Sequence, residues 1–441
     1  SIENNLNSFI IMKTKLLLTL ASLALALPLY AQDNEQPEKK NEFNVDVQLR
    51  SRGEYDNGNF KPRDKGQLPG WSINERARLG IGYARKNLEI RLAAQHVGVW
   101  GQDAMVEKKG RLALNEAWAK LITNNGRFFA IIGRQSLSYD GDRILGTLDW
   151  NVAGRWHDAL KLGYQDGKNT LHLIFAYNQN KEDNKGGYYD TTNAMPYKTM
   201  FAGWYHFKAP KFPLDASLMF LNIGYETGTP EKGATSYLQT IGTKIDYGYP
   251  TLNGTLEAYY QFGHKIKDVS TSAFMFAING NYKPAPWVNI GLGLDYLSGM
   301  SPTSTKNTAF DPLYGTHHKY YGFMDYFYAQ VWNQWGLINP HLSGDFKLHQ
   351  RSSLLVTYHY FAAAANPKKW PGYENVGRGL GSEIDLQFTY KVLQDVTLQC
   401  GYSVMFGTKN MDALKGGNHK SWQDWGWVQI NINPRIFSIK W

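Results

Sequence analysis

Two acidic residues, two positions apart on a candidate strand, are the first feature of this sequence that could do chemistry. Glu383 and Asp385 lie in the segment GLGSEIDLQFTY, residues 379–390, and residues two apart share one face of a β-strand. Paired carboxyl groups carry out glycoside hydrolysis, one as the acid and the other as the base or nucleophile. In such enzymes the two groups face each other across the substrate, commonly from different strands. Neighbours on one strand fit the polar wall of a wide pore better.

Other motifs with possible chemistry are weaker. His317 and His318 are adjacent in a candidate loop, but a metal site needs further ligands, so we interpret them as part of a solvated loop. The glycine-rich segments 291–296 and 377–381 do not open a helix after a strand, as a nucleotide-binding fingerprint does. The single cysteine, Cys400, excludes an intrachain disulfide and a cysteine-based zinc cluster. We therefore expect no metal and no cofactor.

The elements that must position these residues are strands. In NEFNVDVQLRSRGEY, residues 41–55, apolar and polar side chains alternate, which is the pattern of a strand with two different faces. Similar strands of roughly 10 to 14 residues, a length that suits a tilted membrane crossing, recur at 71–83, 87–95, 251–262, 272–282, 286–297, 379–390 and 395–406. The sequence therefore predicts an all-β protein.

Composition agrees with strands that cross a membrane. Of 441 residues, 43% are hydrophobic, which excludes a bundle of membrane helices. The chain is nevertheless rich in Tyr (28), Trp (14) and Gly (43). Tyr and Trp are the residues that anchor membrane proteins at the two lipid–water interfaces.

The N-terminal segment carries a targeting signal. From Met12 the sequence reads MKTKLLLTLASLALALPLYAQ, with two lysines, an apolar stretch and a small residue, Ala31, at its end. This order predicts a secretory signal peptide over 12–31 that is cleaved after Ala31. Residues 1–11 then lie upstream of the start of translation, 32–41 form a polar N-terminal segment, and 42–441 form the functional domain. Export of this kind places the product in the cell envelope.

Connections between the strands alternate in length. Eight short turns are predicted near 85–87, 124–126, 166–168, 209–213, 248–250, 283–286, 349–351 and 392–394. Nine longer connections lie between them, near 56–70, 100–111, 136–156, 179–198, 227–235, 264–271, 299–336, 364–378 and 408–421. Seventeen connections give about 18 strands. An even strand number with short periplasmic turns and long extracellular loops is typical of a transmembrane antiparallel β-barrel of the bacterial outer membrane.

A barrel of this size encloses an aqueous lumen, and its inner face is charged. By alternation the residues that face the lumen are Arg50, Arg52, Arg76, Arg78, Arg91, Glu257, Asp295, Glu383 and Asp385. The arginines of the first three strands form a cationic stripe that could focus anions. Alternatively, the arginines and acids only pair with each other to fill and stiffen the lumen. Both interpretations remain open from sequence.

Several segments resemble the alginate-export outer-membrane porin family. They are GRQSLSYDGDRILGTLDWN (133–151), RWHDALKLGY (155–164) and FDPLYGTHHKYYGFMDYF (310–327). The resemblance covers essentially the mature chain and implies an 18-stranded barrel whose arginine-rich lumen conducts a polyuronate without energy input. It also implies that Arg134, Arg155 and Asp158 line the pore.

The longest loop, 299–336, is predicted to narrow the pore. Its proline, glycine and aromatic content suits a packed loop that folds over or into the pore mouth. The candidate constriction residues are Asp311, Tyr314, Gly315, Tyr321, Gly322 and Asp325.

The sequence therefore predicts a passive channel for anionic saccharides or other acidic solutes. A barrel enzyme acting on surface polymer or lipid is the alternative, and an adhesion protein is the third possibility. The expected partners are outer-membrane lipid, an anionic oligo- or polysaccharide or other acidic solute, and the barrel-assembly machinery, which commonly reads a C-terminal aromatic residue such as Trp441. We expect no nucleic-acid partner.

Overall fold

The structure, a computed structural model, describes residues 40–103, 105, 112–182, 187–192, 194–327 and 332–441. The predicted signal peptide and the upstream residues 1–11 lie outside this part of the chain. Within it, no helix is both long enough and apolar enough to cross a membrane. The described residues also contain no group of three or more His, Cys, Asp or Glu side chains that could hold a metal ion.

Strands dominate the described chain. They are β1 (Glu42–Asn57), β2 (Gly70–Arg85), β3 (Leu88–Val99), β4 (Leu112–Ile122), β5 (Phe128–Gln135), β6 (His157–Gln165), β7 (Asn169–Tyr177), β8 (Thr199–Lys208), β9 (Leu214–Glu226), β10 (Thr235–Gly248), β11 (Leu252–Ile266), β12 (Val269–Ala285), β13 (Val288–Leu297), β14 (Leu337–His349), β15 (Ser352–Ala362), β16 (Gly379–Leu393), β17 (Val396–Gly407) and β18 (Gln423–Ile432 continued by Arg435–Lys440). Helical elements are α1 (Lys409–Lys415) and four single 3₁₀ turns, Asp140–Asp142, His317–Lys319, Asn333–Trp335 and Pro367–Lys369.

Each strand pairs antiparallel with its neighbours, and the sheet closes between β1 and β18. Both segments of β18 pair with β1, in the registers Arg52↔Gln429 and Val45↔Phe437. The two segments are separated at Pro434, which has no N–H to donate to the ladder, although its carbonyl still accepts a hydrogen bond from Val47 N at 3.1 Å. A closed barrel leaves no unpaired strand edge in the hydrocarbon region. The prediction of an 18-stranded antiparallel barrel is confirmed.

One predicted connection is wrong. The sequence predicts a long loop at 264–271, but β11 continues to Ile266 and β12 begins at Val269. Only Lys267 and Asp268 remain as the turn, and Asp268 adopts a positive φ of 63°. Aspartate tolerates this left-handed conformation, so a tight turn forms without glycine. The hairpin therefore extends as regular strand, with a bulge at Gly263.

The outer face of the wall is apolar and the inner face is polar. Leu49, Ile132 and Leu292 are 48%, 63% and 66% exposed, as expected for side chains that meet lipid rather than a protein core. Cys400 lies opposite the exposed Val428 on this outer face. Cys400 therefore lies on the lipid-facing side of the wall.

Burial divides the lumen into an outer and an inner half. On β1, Arg50 and Arg52 are buried, whereas Asn44 and Asp46, further toward the periplasmic end of the same face, remain accessible to solvent. The cause is a core of loop residues inside the outer half, which includes Leu137, Ile144, Leu145, Phe310, Tyr314, Tyr321, Met324 and Tyr326. We call residues 137–156 and 309–327 the plug, and the accessible inner half the vestibule.

Candidate pore constriction

The two loop segments of the plug form one hydrogen-bonded unit. Leu145 and Tyr314 form a parallel bridge. Tyr314 N donates to Ile144 O at 3.0 Å, and Gly146 N donates to Tyr314 O at 2.9 Å. Arg155 adds side-chain hydrogen bonds to the carbonyls of Tyr314 and Gly315. Arg155, predicted from the family resemblance to line the pore, therefore lies within the plug and joins its two segments.

Gly315 is required by the close approach of the two segments. A Cβ at this position would lie 2.2 Å from Arg143 O, which is inside the contact distance of any two heavy atoms. Thr316 continues the same contact, because its N–H donates to Asp142 O at 2.8 Å. Tyr314 and Gly315, both predicted constriction residues, are therefore part of the junction inside the plug.

A buried arginine of the plug pairs with two of the predicted lumen-facing acids. The Arg143 guanidinium lies 2.8 Å from Glu257 on β11 and 3.0 Å from Asp295 on β13, and its side chain is fully buried. The ring of Tyr320 covers it, with 3.5 Å between the guanidinium carbon and the ring centroid. The hydroxyl of Tyr321, a predicted constriction residue, lies 3.4 Å from its Nη1. Glu257 and Asp295 therefore bind a cation of the plug.

The wall also holds the plug at Asp311. Gln261 on β11 donates from Nε2 to Asp311 O at 2.7 Å and accepts from Asp311 N at 2.9 Å. The Asp311 carboxylate lies 2.5 Å from Lys265 Nζ. This predicted constriction residue is thus fixed to β11 through both its main chain and its side chain.

The acidic pair on β16 is covered by the plug main chain. Met324 N donates to Glu383 at 2.8 Å, and Phe323 N donates to Asp385 at 3.3 Å. Gly322 has φ of +85° and packs so closely that a Cβ there would lie 2.6 Å from Glu383 Oε2. Glu383 is 0% and Asp385 1% exposed, so no sugar ring can lie between them. This geometry gives no support to the glycosidase interpretation.

We call Arg50, Arg52, Arg76 and Arg78 the arginine wall. All of them except Arg78 donate to carbonyl oxygens of the plug. Arg50 donates to the carbonyls of Asp149 and Asn151 at 2.7 and 2.9 Å. Arg76 donates to the carbonyl of Asn151 at 2.8 Å and lies 2.6 Å from the Asp149 carboxylate. Arg78, in contrast, donates to Gln95 on β3, at 3.0 and 2.8 Å. Arg50 and Arg76 thus hold the plug, with Asp149 as a shared counterion.

A stack of planar groups crosses from the wall into the plug. The Arg52 guanidinium lies 3.9 Å from the ring centroid of Trp150, and its Nη1 donates to Trp150 O at 2.9 Å. The Trp150 ring stacks on His318 with centroids 4.4 Å apart and an angle of 8°, and His318 stacks on Phe323 at 5.0 Å. The predicted constriction residue Asp325 orients this imidazole, with 3.0 Å between His318 Nδ1 and Asp325 Oδ2.

The expectation of a solvated histidine loop is wrong. His317 and His318 are 2% and 7% exposed because the loop folds into the barrel, where planar rings can stack. Burial disfavours the imidazolium form and lowers the pKa of His317 to about 4.

Arg134 and Asp158 do not face the lumen. They form a bidentate ion pair, with distances of 2.8 and 2.9 Å, across β5 and β6. Their strand neighbours Gln135 and His157 are buried inside the barrel, so alternation places Arg134 and Asp158 on the outer face, together with Ile132. The resemblance located a structural pair and not a pore residue. Arg91, in contrast, faces the vestibule.

Sequence reasoning missed three side chains of the constriction. Arg143, Asp149 and Trp150 all lie in the segment 133–151. A signal was present, because a long loop containing Ile144 and Leu145 next to an arginine is too apolar to remain in solvent. A buried loop arginine then requires acidic partners, and alternation along the strands already supplies inward-facing acids.

A closed 18-stranded antiparallel barrel with loops folded into its lumen is the architecture of an outer-membrane porin, and the protein belongs to this class of the bacterial outer membrane. The fold is similar to that of OccAB4 of Acinetobacter baumannii, with a TM-score of 0.60, 13% identity, and coverage of 92% of this chain and 100% of that chain. It is similar to OccAB1 of the same organism, with a TM-score of 0.62, 9% identity, and coverage of 92% of this chain and 100% of that chain. It is also similar to OccK9 of Pseudomonas aeruginosa, with a TM-score of 0.60, 12% identity, and coverage of 90% of this chain and 98% of that chain.

The sequence identifies the particular family within this class. The profile of the family described as alginate export matches residues 42–408, which is most of the chain. The protein therefore belongs to the alginate export family, and the resemblance noted in the motifs is confirmed. No curated protein matches the chain in a sequence search.

Proposed function

We propose that this porin is a passive channel for anionic saccharides or other acidic solutes, which pass the constriction beside the arginine wall. The observation that carries the proposal is the charge balance there. Four guanidinium groups, of Arg50, Arg52, Arg76 and Arg78, are accompanied by two carboxylates within salt-bridge distance, of Asp149 and Glu54. Four positive and two negative charges leave a surplus of two positive charges.

The position of Asp149 supports contact between this surplus and the solute. Its side chain is 61% exposed although it touches two buried arginines, so the arginine cluster borders water at this point. A cationic patch between low-dielectric walls raises the local concentration of anions. The family description, alginate export, names a polymer of this chemistry. Passive transport needs no cofactor, since the solute follows its gradient.

Reversal potentials in planar bilayers under a KCl gradient test the proposal. Wild type should be anion-selective, and Arg78→Gln should move the reversal potential toward cation preference. Arg78 is chosen because it donates to Gln95 and not to the plug carbonyls, so its charge can be removed while the plug stays docked. The effect should fade above about 1 M salt, where screening acts within roughly 3 Å.

Arg134→Gln is the matched control. It makes the same replacement of arginine by glutamine, but on the outer face of the barrel. The reversal potential should therefore be unchanged. If trigalacturonate blocks the wild-type channel and a neutral trisaccharide does not, the result would support the proposal of acidic solutes. A cation-selective or non-selective wild type that neither sugar blocks would contradict the proposal.

A further inference from the structure

One lysine of the inner wall, Lys161, has no partner among the residues that the structure describes. Lys161 lies halfway along β6, on the inward face and partly buried. It has no hydrogen bond and no ion pair with any of the described residues. The neighbouring cations differ, because Arg91 pairs with Asp46 at 2.5 Å and Lys120 lies 3.7 Å from Glu89.

Lys120 places a second ammonium group near the first. Lys120 and Lys161 lie in one cross-strand row, each opposite Ile131 of the strand between them. Two strand spacings separate their Cα atoms by about 10 Å. Both side chains are long enough for their ammonium groups to reach a common ligand between them. Glu89 supplies one negative charge for the two positive charges.

A row of aromatic rings begins beside Lys120. Phe129 lies across β6 at Gly163, where a Cβ would come within 2.0 Å of the ring, and Lys120 Nζ lies 4.7 Å from the same ring centroid. The row continues from Phe129 to His172 at 5.5 Å, from His172 to Trp204 at 5.3 Å, and from Trp204 to His206, stacked at 5.4 Å.

The aromatic row forms the boundary between plug and vestibule. Tyr139 of the plug bonds His172 Nδ1 at 2.9 Å, and Trp204 Nε1 donates to Asp140 of the plug at 3.0 Å. The inward residues below this level reach solvent. A solute that enters from the periplasmic side therefore meets this row first, with Lys161 two residues beyond Gly163 on β6, and the arginine wall after it.

We propose that Lys161 and Lys120 bind a carboxylate of an acidic saccharide in the vestibule, while the rings of the row pack against the apolar faces of its sugar rings. This inference rests on the proposed function and adds a binding site to it. A partly buried cation without a counterion is costly, and a ligand carboxylate would supply the missing charge-assisted hydrogen bond. Aromatic side chains beside a few polar groups are the usual composition of a small-molecule site.

Current block by trigalacturonate, added from the periplasmic side of a single channel, tests this site at constant pH and salt. Lys161→Gln should weaken the block about tenfold, which corresponds to one charge-assisted hydrogen bond of about 1.4 kcal/mol. Lys161→Arg keeps the charge and should retain most of the block. Lys168→Gln is the control. Lys168 is exposed in the turn between β6 and β7, so this substitution removes the same charge outside the lumen.

The outcomes separate this inference from the function on which it rests. If trigalacturonate blocks Lys161→Gln as strongly as wild type, and the two channels have the same conductance, the lysine site is overturned and the channel proposal stands. The lysine site would be overturned equally if Lys168→Gln weakened block as much as Lys161→Gln does. A wild type that trigalacturonate does not block and that shows no anion selectivity would overturn both proposals.

Discussion

The outer and inner halves of the lumen use the same residue types in different ways. In the outer half Arg76 is fully buried and binds the carboxylate of Asp149, which belongs to the plug. In the inner half Arg91 pairs along the wall with Asp46 and Glu116, and all three side chains keep contact with water. Arg76 thus holds a loop, whereas Arg91 neutralises acids of the wall that the solute passes.

The difference shows that the charge of a porin wall depends on what covers it. Glu257 and Asp295 look like an acidic patch on the strands, yet Arg143 neutralises one of their charges from inside the lumen. Lys161 has no corresponding partner among the described residues, so no carboxylate forms an ion pair with it. Counting the inward-facing strand residues alone would therefore overstate the negative charge around Glu257 and Asp295.

The largest expected effect is the loss of the buried arginine that holds the outer half closed. Arg143→Leu leaves Glu257 and Asp295 buried without their cation, which costs on the order of 3–5 kcal/mol when one partner of a buried pair is removed. Docking of the plug should fail while the barrel remains assembled. Single-channel conductance should rise, and heat-modifiable migration on gels should still show a folded barrel.

Arg134→Leu is the matched control for that experiment. It removes an arginine from an ion pair that lies on the outer face of the wall and not in the lumen. Its conductance should equal that of wild type. Unchanged conductance in a folded Arg143→Leu barrel would show that the plug does not depend on this ion pair.

Sequence predicted the barrel well because the relevant signals are local. Two-residue alternation placed Leu49 outside and Arg50 inside, and loop length alone distinguished the two ends of the barrel. The plug could not be predicted in the same way. Which wall residues Arg143 or Asp149 contacts depends on how two loops, more than 150 residues apart, meet inside the lumen. The prediction of a long loop at 264–271 was wrong for a more local reason, because the tight turn depends on the conformation of one residue, Asp268.

Acid should loosen the outer half and leave the inner half unchanged. The pKa of His317 is lowered to about 4 in the docked plug by burial, while an exposed histidine titrates near 6.5. The docked state therefore binds fewer protons than the undocked state between these values. The contribution of neutral His317 to the free energy of docking is fully present above pH 6.5. It falls by roughly 3 kcal/mol in total as pH drops toward 4.

Conductance recorded from pH 7 to pH 4 checks this expectation. Wild type should open progressively below pH 6.5, and His317→Gln, which stays neutral, should open less over the same range. His349→Gln is the control, because His349 is exposed next to a periplasmic turn. Identical pH profiles for His317→Gln and wild type would assign the acid response to other groups.

The smallest expected effect tests whether the arginines of the outer half also serve the solute. Asp149→Asn removes one carboxylate from Arg50 and Arg76 but keeps the main-chain carbonyls to which both arginines donate. Because the Asp149 side chain is 61% exposed and both arginines keep their main-chain acceptors, its loss should cost the plug less than the loss of Arg143. Conductance should then stay close to wild type, in contrast to Arg143→Leu.

Selectivity is where Asp149→Asn should differ from wild type. The positive surplus at the arginine wall rises from two charges to three, so the reversal potential should move toward anion preference, opposite in sign to the shift of Arg78→Gln. The shift should be largest at low salt, since exposed charges are screened over roughly 8 Å at physiological ionic strength. Asp158→Asn removes the same charge from the outer face of the barrel and should not shift it. A shift toward cation preference, or none, would mean that ions pass the constriction beyond the reach of these arginines, and their role would then be confined to holding the plug.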